Sequence, residues 1–344
     1  MALSTLRNVR FRGTASCVPK TVISNLDCPA EMKSERERLV RNIGIMHRRI
    51  CYPWQYFSDL AQTAAEKLLS DLGWAREEVD ALIVVTQSPD YLIPATAIII
   101  QDRMKLPQTT LAFDINLGCS GYPYGIYVLG SMIAAGSVKR GLVLVGDKSA
   151  KLLDPLFSDC ATATALEFDA SAPPMHFDLN SDGSGYRAII KPVGGHREET
   201  KFHHFIPGPG SQWERKRQVD VILDGTAVLN FSITRVPPAI RNILDFCGMA
   251  LTDIDYLVFH QANKMINETI RKKLGLPPEK MPSTLYDFGN TSSATVPVTM
   301  TVRLREELSS GKKRLLLCGF GIGLSWAASV LEIDRGCFPP LIEV

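Results

Sequence analysis

The stretch Asp80-Ala-Leu-Ile-Val-Val-Thr86 places an acidic residue directly before an uninterrupted apolar run. Such a run predicts a strand that is buried on both faces, as in a sheet covered by helices. A second stretch of the same kind, Asp255-Tyr-Leu-Val-Phe-His-Gln261, stands 175 positions further along the chain. The two stretches therefore indicate that one structural unit occurs twice.

Two further pairs of segments follow the same order. A helical pattern over 118–136 has a counterpart over 289–311, and an apolar strand pattern over 140–146 has a counterpart over 313–319. The three pairs keep nearly the same offset, which is the pattern expected of a duplicated half.

Each half is predicted to be a strand–helix–strand unit, so the fold class is layered α/β with two sheets. The irregular segment Ala172-Pro-Pro174 is the predicted boundary between the halves. This gives an N-terminal half over 1–172 and a C-terminal half over 173–344.

Composition limits the class of protein. The chain has 344 residues, 45% of them hydrophobic and 22% charged, with a net charge of +2. These values favour a globular protein and exclude both a disordered chain and a nucleic-acid binder that relies on a basic field. The uncharged segment 315–331 contains Gly319, Gly321 and Gly323, so we expect strand, glycine loop and strand there rather than a membrane span.

The cysteines indicate the compartment. No two of them have the Cys-x-x-Cys spacing of zinc or redox sites, and the N-terminus shows no apolar core of signal-peptide length. We therefore expect reduced thiols, a cytoplasmic protein and no metal site. The eight are Cys17, Cys28, Cys51, Cys119, Cys160, Cys247, Cys318 and Cys337.

One of these cysteines stands where an extended run meets a helical pattern, in Asn116-Leu-Gly-Cys119-Ser-Gly121. A thiol at the N-terminus of a helix feels the positive end of the helix dipole, so its pKa is expected to fall. Cys119 is therefore a candidate nucleophile, with an inert packing cysteine as the alternative.

Three other segments carry candidate groups. His260 follows the predicted strand 256–259 and either faces a pocket or is a satisfied structural histidine. Asn290 is the counterpart of Cys119 in the repeat, so the two meet if the halves pack about a pseudo-twofold axis. The glycines of 319–323 can direct backbone N–H groups at a developing oxyanion, or simply form a hairpin turn.

Taken together, these segments resemble the β-ketoacyl-acyl carrier protein synthase III group of the thiolase superfamily, over about 9–333. The resemblance implies a thiolase-like fold with a layered αβαβα arrangement. The matching text is Asn116-Leu-Gly-Cys119-Ser-Gly121, His260-Gln-Ala-Asn263, Gly289-Asn290-Thr-Ser-Ser-Ala294 and Gly319-Phe320-Gly-Ile322-Gly-Leu-Ser-Trp326.

The resemblance implies a mechanism. Cys119 takes an acyl group from a coenzyme A or carrier-protein thioester. His260 and Asn290 then hold the carbonyl of a malonyl-type acceptor while carbon dioxide leaves, and the carbanion attacks the acyl-cysteine. The N–H groups of Cys119 and Ile322 form the oxyanion hole, and no metal or redox cofactor is needed.

The resemblance also implies substrate contacts, in which this chain departs from the family. Arg38 and Asn42 occupy the positions of a tryptophan and an arginine that commonly contribute to the adenine site of coenzyme A. Ile93 replaces a frequent aromatic of the acyl pocket and would leave room for a longer or branched acyl group. Asn263 and Phe320 lie in matching motifs and are the remaining candidate substrate contacts.

Partners are implied as well. An acyl carrier protein is expected to dock on the basic residues of the helix after His260, although a solvated helix C-terminus is the plainer explanation. A homodimer is expected, with 90–96 closing the partner's acyl pocket; no nucleic acid and no membrane is expected to bind. The basic residues are Lys264, Arg271, Lys272 and Lys273.

Other activities stay open at this point. The same acyl-cysteine could be transferred to an alcohol or amine, with His260 as the base. A non-catalytic partner subunit and thiolase-type or hydroxymethylglutaryl-type condensations are further alternatives, the last two requiring an extra acid or base. The pair His203-His204 and the charge run 214–217 are predicted to be solvated surface.

Overall fold

A computed structural model describes residues 2–151, 154–206 and 219–344. The strands in these ranges are β1 (Ala2–Leu6), β2 (Val9–Val18), β3 (Val22–Ser24), β4 (His47–Arg49), β5 (Ala81–Val85), β6 (Leu111–Ile115), β7 (Arg140–Asp147), β8 (Cys160–Phe168), β9 (Met175–Ser181), β10 (Ile189–Ile190), β11 (Ile222–Leu223), β12 (Tyr256–Phe259), β13 (Lys312–Gly321), β14 (Ser325–Asp334) and β15 (Ile342–Glu343). The α-helices are α1 (Lys33–Ile43), α2 (Phe57–Leu72), α3 (Thr96–Arg103), α4 (Gly121–Ala134), α5 (Gly225–Cys247), α6 (Lys264–Lys273), α7 (Leu285–Phe288), α8 (Thr295–Arg303) and α9 (Arg305–Ser310).

Two large sheets form the frame. One has six strands in the order β15-β2-β8-β7-β5-β6, and the other has five in the order β1-β9-β14-β13-β12. In both sheets a pair of parallel strands, β5 with β7 and β12 with β13, is followed by an antiparallel strand. The duplicated strand–helix–strand unit predicted from the sequence is therefore present in both sheets.

The acidic residue before each repeated strand has the same function in the two halves. The Asp80 carboxylate accepts the backbone N–H groups of Lys139 and Arg140 at 2.8 and 3.1 Å. The Asp255 carboxylate accepts the N–H of Arg314 at 2.7 Å. Both carboxylates thus join the start of one parallel strand to its neighbour.

Alternating side chains of the strands create three apolar cores and five layers. In β5, Leu82 packs outward against α2 and α3, whereas Ile83 packs inward against α4. In β12, Leu257 packs outward against α5 and α6, and Val258 packs inward against α8. Because a buried aliphatic side chain contributes about 1.5–3 kcal/mol, these cores stabilise the αβαβα order, which confirms the predicted fold class.

The structure corrects three details. The helix predicted over 289–311 is interrupted, because Ser292 has a φ of 56° and Leu304 departs from helical geometry, so α8 and α9 are separate. Among the described residues of the second half, no strand is the counterpart of β6. β1 and β15 each join the sheet of the opposite half, while the boundary predicted at 172 stays a prediction.

The segment 315–331 forms parts of β13 and β14 with a turn between them, as predicted. Within the described ranges, no helix has both the length and the apolar character needed to cross a membrane. The charge run predicted over 214–217 lies outside the described residues.

Candidate active site

Cys119 lies between the end of β6, the edge strand of the six-stranded sheet, and the start of α4, and is half-buried. The chain passes very close to its neighbours just before it. A Cβ atom placed on Gly118 would lie 2.5 Å from Oε1 of Gln87 and 2.6 Å from Cγ2 of Ile322. A side chain here would require Gln87 and Ile322 to move, so glycine is favoured at the turn that leads to the thiol.

The turn after β13 encloses the sulfur atom. A Cβ atom on Gly321 would lie 2.8 Å from the Cys119 sulfur, and the φ of Gly321 is 154°. The backbone N–H groups of Ile322 and of Cys119 itself oppose the rise that burial causes in the pKa of this thiol. Since Ile322 is absent from the residues with positive φ, its side chain imposes no backbone strain on this donor.

The expected fall in the thiol pKa is wrong. Burial raises the pKa of Cys119 to about 11; the N–H of Ile322 lowers it, the charge of Asp147 raises it, and its own N–H lowers it. Desolvation of the thiolate thus outweighs the helix terminus and the two donors. The resting nucleophile is a thiol.

His260 follows β12 and is almost completely buried. Its Nδ1 lies 2.8 Å from the hydroxyl oxygen of Thr295, and its ring stands edge-on to Phe320 at 5.5 Å between centroids. Burial lowers the pKa of His260 to about 3, against a smaller opposite effect of the Ser292 backbone. The imidazole is therefore neutral over the physiological range.

Asn290 is held by both its backbone and its side chain. Its N–H donates to the carbonyl of Leu156 at 3.0 Å, and its carbonyl accepts from the N–H of Ser158 at 2.9 Å. Its Oδ1 accepts the N–H of Ser292 at 2.9 Å. Because the side-chain oxygen is occupied in this way, the Nδ2 amino group is the part left to meet a substrate.

The three predicted site residues come together. Gly319 and Gly321 touch Cys119, and Phe320 between them contacts His260. A Cβ atom on Gly121, at the start of α4, would lie 3.6 Å from Cβ of Ser293 in the turn after Asn290. The N-termini of α4 and α8 therefore face one another, as the repeat predicted.

Sequence reasoning missed Asp147, Ser292 and Thr295. Asp147 ends β7 and is buried, and Ser292 and Thr295 connect Asn290 with His260. Asp147 follows an apolar strand just as His260 does, and this position was the available signal. Burial raises the pKa of the Asp147 carboxyl, and donors from Ser292, Gln87, Thr86 and Ser88 oppose that rise.

The residues predicted to contact substrate do not lie together in the structure. Arg38 and Asn42 are exposed on α1, whose C-terminal Gly44 abuts the Lys264 side chain at the start of α6. Phe320 lies in the site beside His260. Asn263 is half-buried and caps α6, its Oδ1 accepting the N–H of Ile266 at 2.9 Å.

Ile93 is 85% exposed in the loop between β5 and α3. Its expected role at a partner's acyl pocket stays a prediction.

The basic residues of α6 differ in how far their charges are exposed to a partner. Lys264, Lys272 and Lys273 are exposed. The Arg271 side chain is only 14% exposed, paired with Glu268 at 2.7 Å and bonded to the carbonyl of Leu276. Arg271 therefore secures the end of α6. Lys273 donates to the carbonyl of Ile233 at 3.1 Å, which leaves Lys264 and Lys272 as the more available charges.

The histidine pair in the long loop is only partly solvated, contrary to the prediction. His203 is exposed, but His204 is buried, accepts the N–H of Lys201 at Nδ1 and lies 3.5 Å from Glu198. Across the described ranges, no three His, Cys, Asp or Glu side chains are grouped as metal ligands would be.

Family models match both halves of this arrangement. One described as 3-oxoacyl-[acyl-carrier-protein (ACP)] synthase III matches residues 113–183, which include Cys119. Another, described as 3-oxoacyl-[acyl-carrier-protein (ACP)] synthase III C terminal, matches residues 244–333, which include His260 and Asn290.

Whole-chain comparisons agree. The chain is 32% identical over 337 residues to beta-ketoacyl-[acyl-carrier-protein] synthase III 1 of Bacillus cereus, covering 94% of this chain and 99% of that protein. A solved 3-oxoacyl-(acyl-carrier protein) synthase from Burkholderia xenovorans LB400 matches with a TM-score of 0.91 and 35% identity over 99% of each chain. A synthase III from Pseudomonas aeruginosa PAO1 matches with a TM-score of 0.81 and 29% identity, over 97% of this chain and 100% of that one. This chain thus belongs to the β-ketoacyl-acyl carrier protein synthase III family of condensing acyltransferases.

Proposed function

We propose that the chain forms an acyl thioester on Cys119 and condenses it, with loss of carbon dioxide, with a malonyl-type thioester to give a β-ketoacyl product. In the first step the Cys119 sulfur attacks the donor carbonyl. The bond between this carbon and the donor sulfur breaks, and the proton lost by Cys119 leaves with the donor thiol. The N–H groups of Ile322 and Cys119 would stabilise the oxyanion formed on the way.

In the second step the malonyl carboxylate leaves as carbon dioxide, and the electron pair of the broken bond forms an enolate. The Nε2–H of His260 and the amino group of Asn290 would donate to the enolate oxygen. The carbanion then attacks the acyl carbon and expels the Cys119 thiolate, which regains a proton. Because the electrons of the new carbon–carbon bond come from the bond to the carboxylate, the reaction needs no redox cofactor, and we propose that none is used.

The observation that carries the proposal is the neutral His260 beside a donor-presenting Asn290. A histidine whose pKa is lowered to about 3 by burial is a poor base for an alcohol or amine acceptor but a good hydrogen-bond donor to an enolate. Transfer to oxygen or nitrogen is therefore the second candidate.

We propose an acyl carrier protein and acyl-coenzyme A as the sources of substrate. The three exposed lysines of α6 support carrier docking, because Asn267 of this helix bonds the His260 carbonyl at 3.1 Å and so places the helix next to the site. Charge attraction would guide an acidic carrier to it.

We also propose a homodimer in the cytoplasm. Leu92 and Ile93 are each 85% exposed, and β6 is the edge strand of its sheet with Leu111 exposed. Large apolar side chains beside a free sheet edge favour pairing with a second copy. Light scattering at micromolar concentration should give twice the mass of the chain, and a monomer would contradict this assembly.

The reaction is tested with purified protein, an acyl-coenzyme A and a malonyl thioester labelled in its free carboxylate. Condensation releases labelled carbon dioxide in proportion to β-ketoacyl product. Ester or amide formation with added alcohols or amines and no carbon dioxide would instead support the second candidate. A chain that never acylates Cys119 in mass spectrometry would act as a non-catalytic subunit.

A further inference from the structure

Asp147 lies at the carboxyl end of β7, and only 3% of it is exposed. Its Oδ1 accepts three donors from the segment after β5: the hydroxyl of Thr86 at 2.9 Å, the N–H of Gln87 at 2.7 Å and the hydroxyl of Ser88 at 3.1 Å. The side chain of Gln87 in turn limits the turn before Cys119, through its close approach to Gly118. Asp147 is thus anchored to the half that carries the nucleophile.

The same carboxylate reaches the other half. The turn that begins at Ser292 packs against β7, and the Ser292 hydroxyl opposes the rise that burial causes in the pKa of the Asp147 carboxyl. Ser292 has a φ of 56°, a left-handed conformation that a residue with a side chain adopts only when its surroundings hold it. An ionised carboxylate is an acceptor only, so it can hold this hydroxyl without competing for its oxygen.

The backbone N–H and carbonyl of Ser292 both bond to residues of the site. Its N–H donates to Oδ1 of Asn290 at 2.9 Å. Its carbonyl oxygen lies 2.9 Å from the hydroxyl of Thr295, which contacts Nδ1 of His260. One residue therefore touches the carboxamide of Asn290 directly and the ring of His260 through a single hydroxyl.

We propose that Asp147 is a positioning residue that holds Ser292 and, through it, fixes Asn290 and His260 relative to Cys119. This inference rests on the proposed function, since the positioned groups are those assigned to decarboxylation. A displacement of about 1 Å at a reacting group can cost about 100-fold in rate. Loss of the contact between Asp147 and Ser292 is therefore expected to slow decarboxylation strongly.

The test separates the two half-reactions in Asp147→Ala, Asp147→Asn and Ser292→Ala. In Asp147→Ala and Ser292→Ala, kcat for malonyl decarboxylation should fall at least about tenfold with little change in KM. Acylation of Cys119 by a small thioester should continue. In Asp147→Asn, the amide oxygen can keep the Thr86, Gln87 and Ser88 donors, and its amino group can donate to Ser292, so decarboxylation should largely return.

The matched control is Asp178→Asn, which removes a buried charge on β9 that is bonded to Asn180 at 2.6 Å and does not contact the site through any described bond. This variant should decarboxylate like the wild type. Unimpaired decarboxylation in Ser292→Ala, or an equal loss in Asp147→Asn and Asp147→Ala, would overturn the positioning role.

A crystal structure of Asp147→Ala separates this inference from the proposed function. Ser292 should leave its left-handed conformation, and its bond to Asn290 should lengthen or split into alternate conformers. If the wild type fails to decarboxylate but this displacement is seen, the proposed function fails and the positioning role stands. An unchanged Ser292 and Asn290 would refute the positioning role whatever the activity.

Discussion

The hydroxyl oxygen of Thr295 lies 2.8 Å from Nδ1 of His260 and 2.9 Å from the carbonyl oxygen of Ser292. A hydroxyl has one proton, so it can donate to only one of the two. If it donates to Nδ1, the imidazole proton sits on Nε2, where an enolate can accept it. If it donates to Ser292, Nε2 has a lone pair and acts as a base.

In the structure the Thr295 hydroxyl donates to the Ser292 carbonyl, which can only accept. The proposed condensation requires this hydroxyl to turn to Nδ1 of His260, so Thr295→Val should lower malonyl decarboxylation about tenfold, equivalent to about 1.4 kcal/mol. Steady-state release of labelled carbon dioxide measures it. Thr301→Val is the matched control, because Thr301 lies on the same helix and makes the same kind of bond, to the carbonyl of Val298 at 3.1 Å. Equal losses in both variants would attribute the effect to the helix rather than to His260.

Cys119→Ala should abolish acyl transfer and leave the fold intact, because the thiol is replaced by a smaller side chain at a half-buried position. Mass spectrometry after exposure to acyl-coenzyme A should show no added acyl group, and thermal unfolding should stay within a few degrees. Cys247→Ala, a half-buried cysteine at the end of α5, should acylate normally. Turnover by a folded Cys119→Ala protein would contradict the assignment of the nucleophile.

His260→Ala and Asn290→Ala should still acylate Cys119 but lose decarboxylation about 100-fold or more, as with other oxyanion donors. The reason is that the oxyanion of the first step is met by backbone N–H groups, which these substitutions do not remove. The two half-reactions are measured separately: rapid quench follows the acylation of Cys119, and carbon dioxide release from malonyl thioester follows decarboxylation. Normal decarboxylation in both variants is the result that removes these residues from the proposed mechanism.

The buried His260 should make the protein sensitive to acid. Burial lowers the pKa of His260 from 6.5 to about 3, so between these values the unfolded chain binds a proton that the folded chain does not. The free energy of unfolding therefore falls as the pH falls from 6.5 towards 3, and by pH 4 this group alone accounts for about 3 kcal/mol.

Denaturant unfolding at pH 7 and pH 4 tests this contribution. His260→Gln should lose less stability than the wild type over that interval, whereas His203→Gln, at an exposed histidine, should behave like the wild type. Identical pH dependence in His260→Gln and the wild type would show that His260 is charged or solvated in the folded protein.

Reversing charge at Lys264 and Lys272 to Glu should raise KM for carrier-bound substrate about five- to tenfold, because a basic patch steers an acidic partner. The difference in KM between the wild type and the double variant should shrink as salt is added, because salt screens the charges. Acylation of Cys119 by a small thioester should hardly change in the double variant.

The charge-reversal experiment has two control variants. Lys139→Glu reverses an exposed charge at the amino end of β7, opposite to the site, and should leave KM unchanged. Arg271→Glu should instead lower the melting temperature, because Arg271 bonds Glu268 and the carbonyl of Leu276. If carrier-bound and small substrates suffer equally in the lysine variant, the lysines are structural rather than a docking surface.

Much of the site could be read from local pattern. Cys119 and His260 each follow a strand, and Asn290 follows the short helix α7. All three stand at a sharp change of local structure, so spacing and the repeat predict that they meet. Ser292 lies inside the quoted Gly289–Ala294 motif and Thr295 follows it directly, yet nothing local distinguishes residues that connect the site from an ordinary helix start. The left-handed φ of Ser292 interrupts the predicted helix, and no local pattern in the sequence signals it.

The sequence by itself determined the duplicated α/β frame, because the period of buried side chains along strands and helices is a local property. It also determined which residues stand at the strand ends. Only the tertiary structure decided their chemistry. Burial raises the pKa of the Cys119 thiol and lowers the pKa of His260, and desolvation depends on every element packed around a group. The same holds for Asp147, whose significance comes from touching both halves at once.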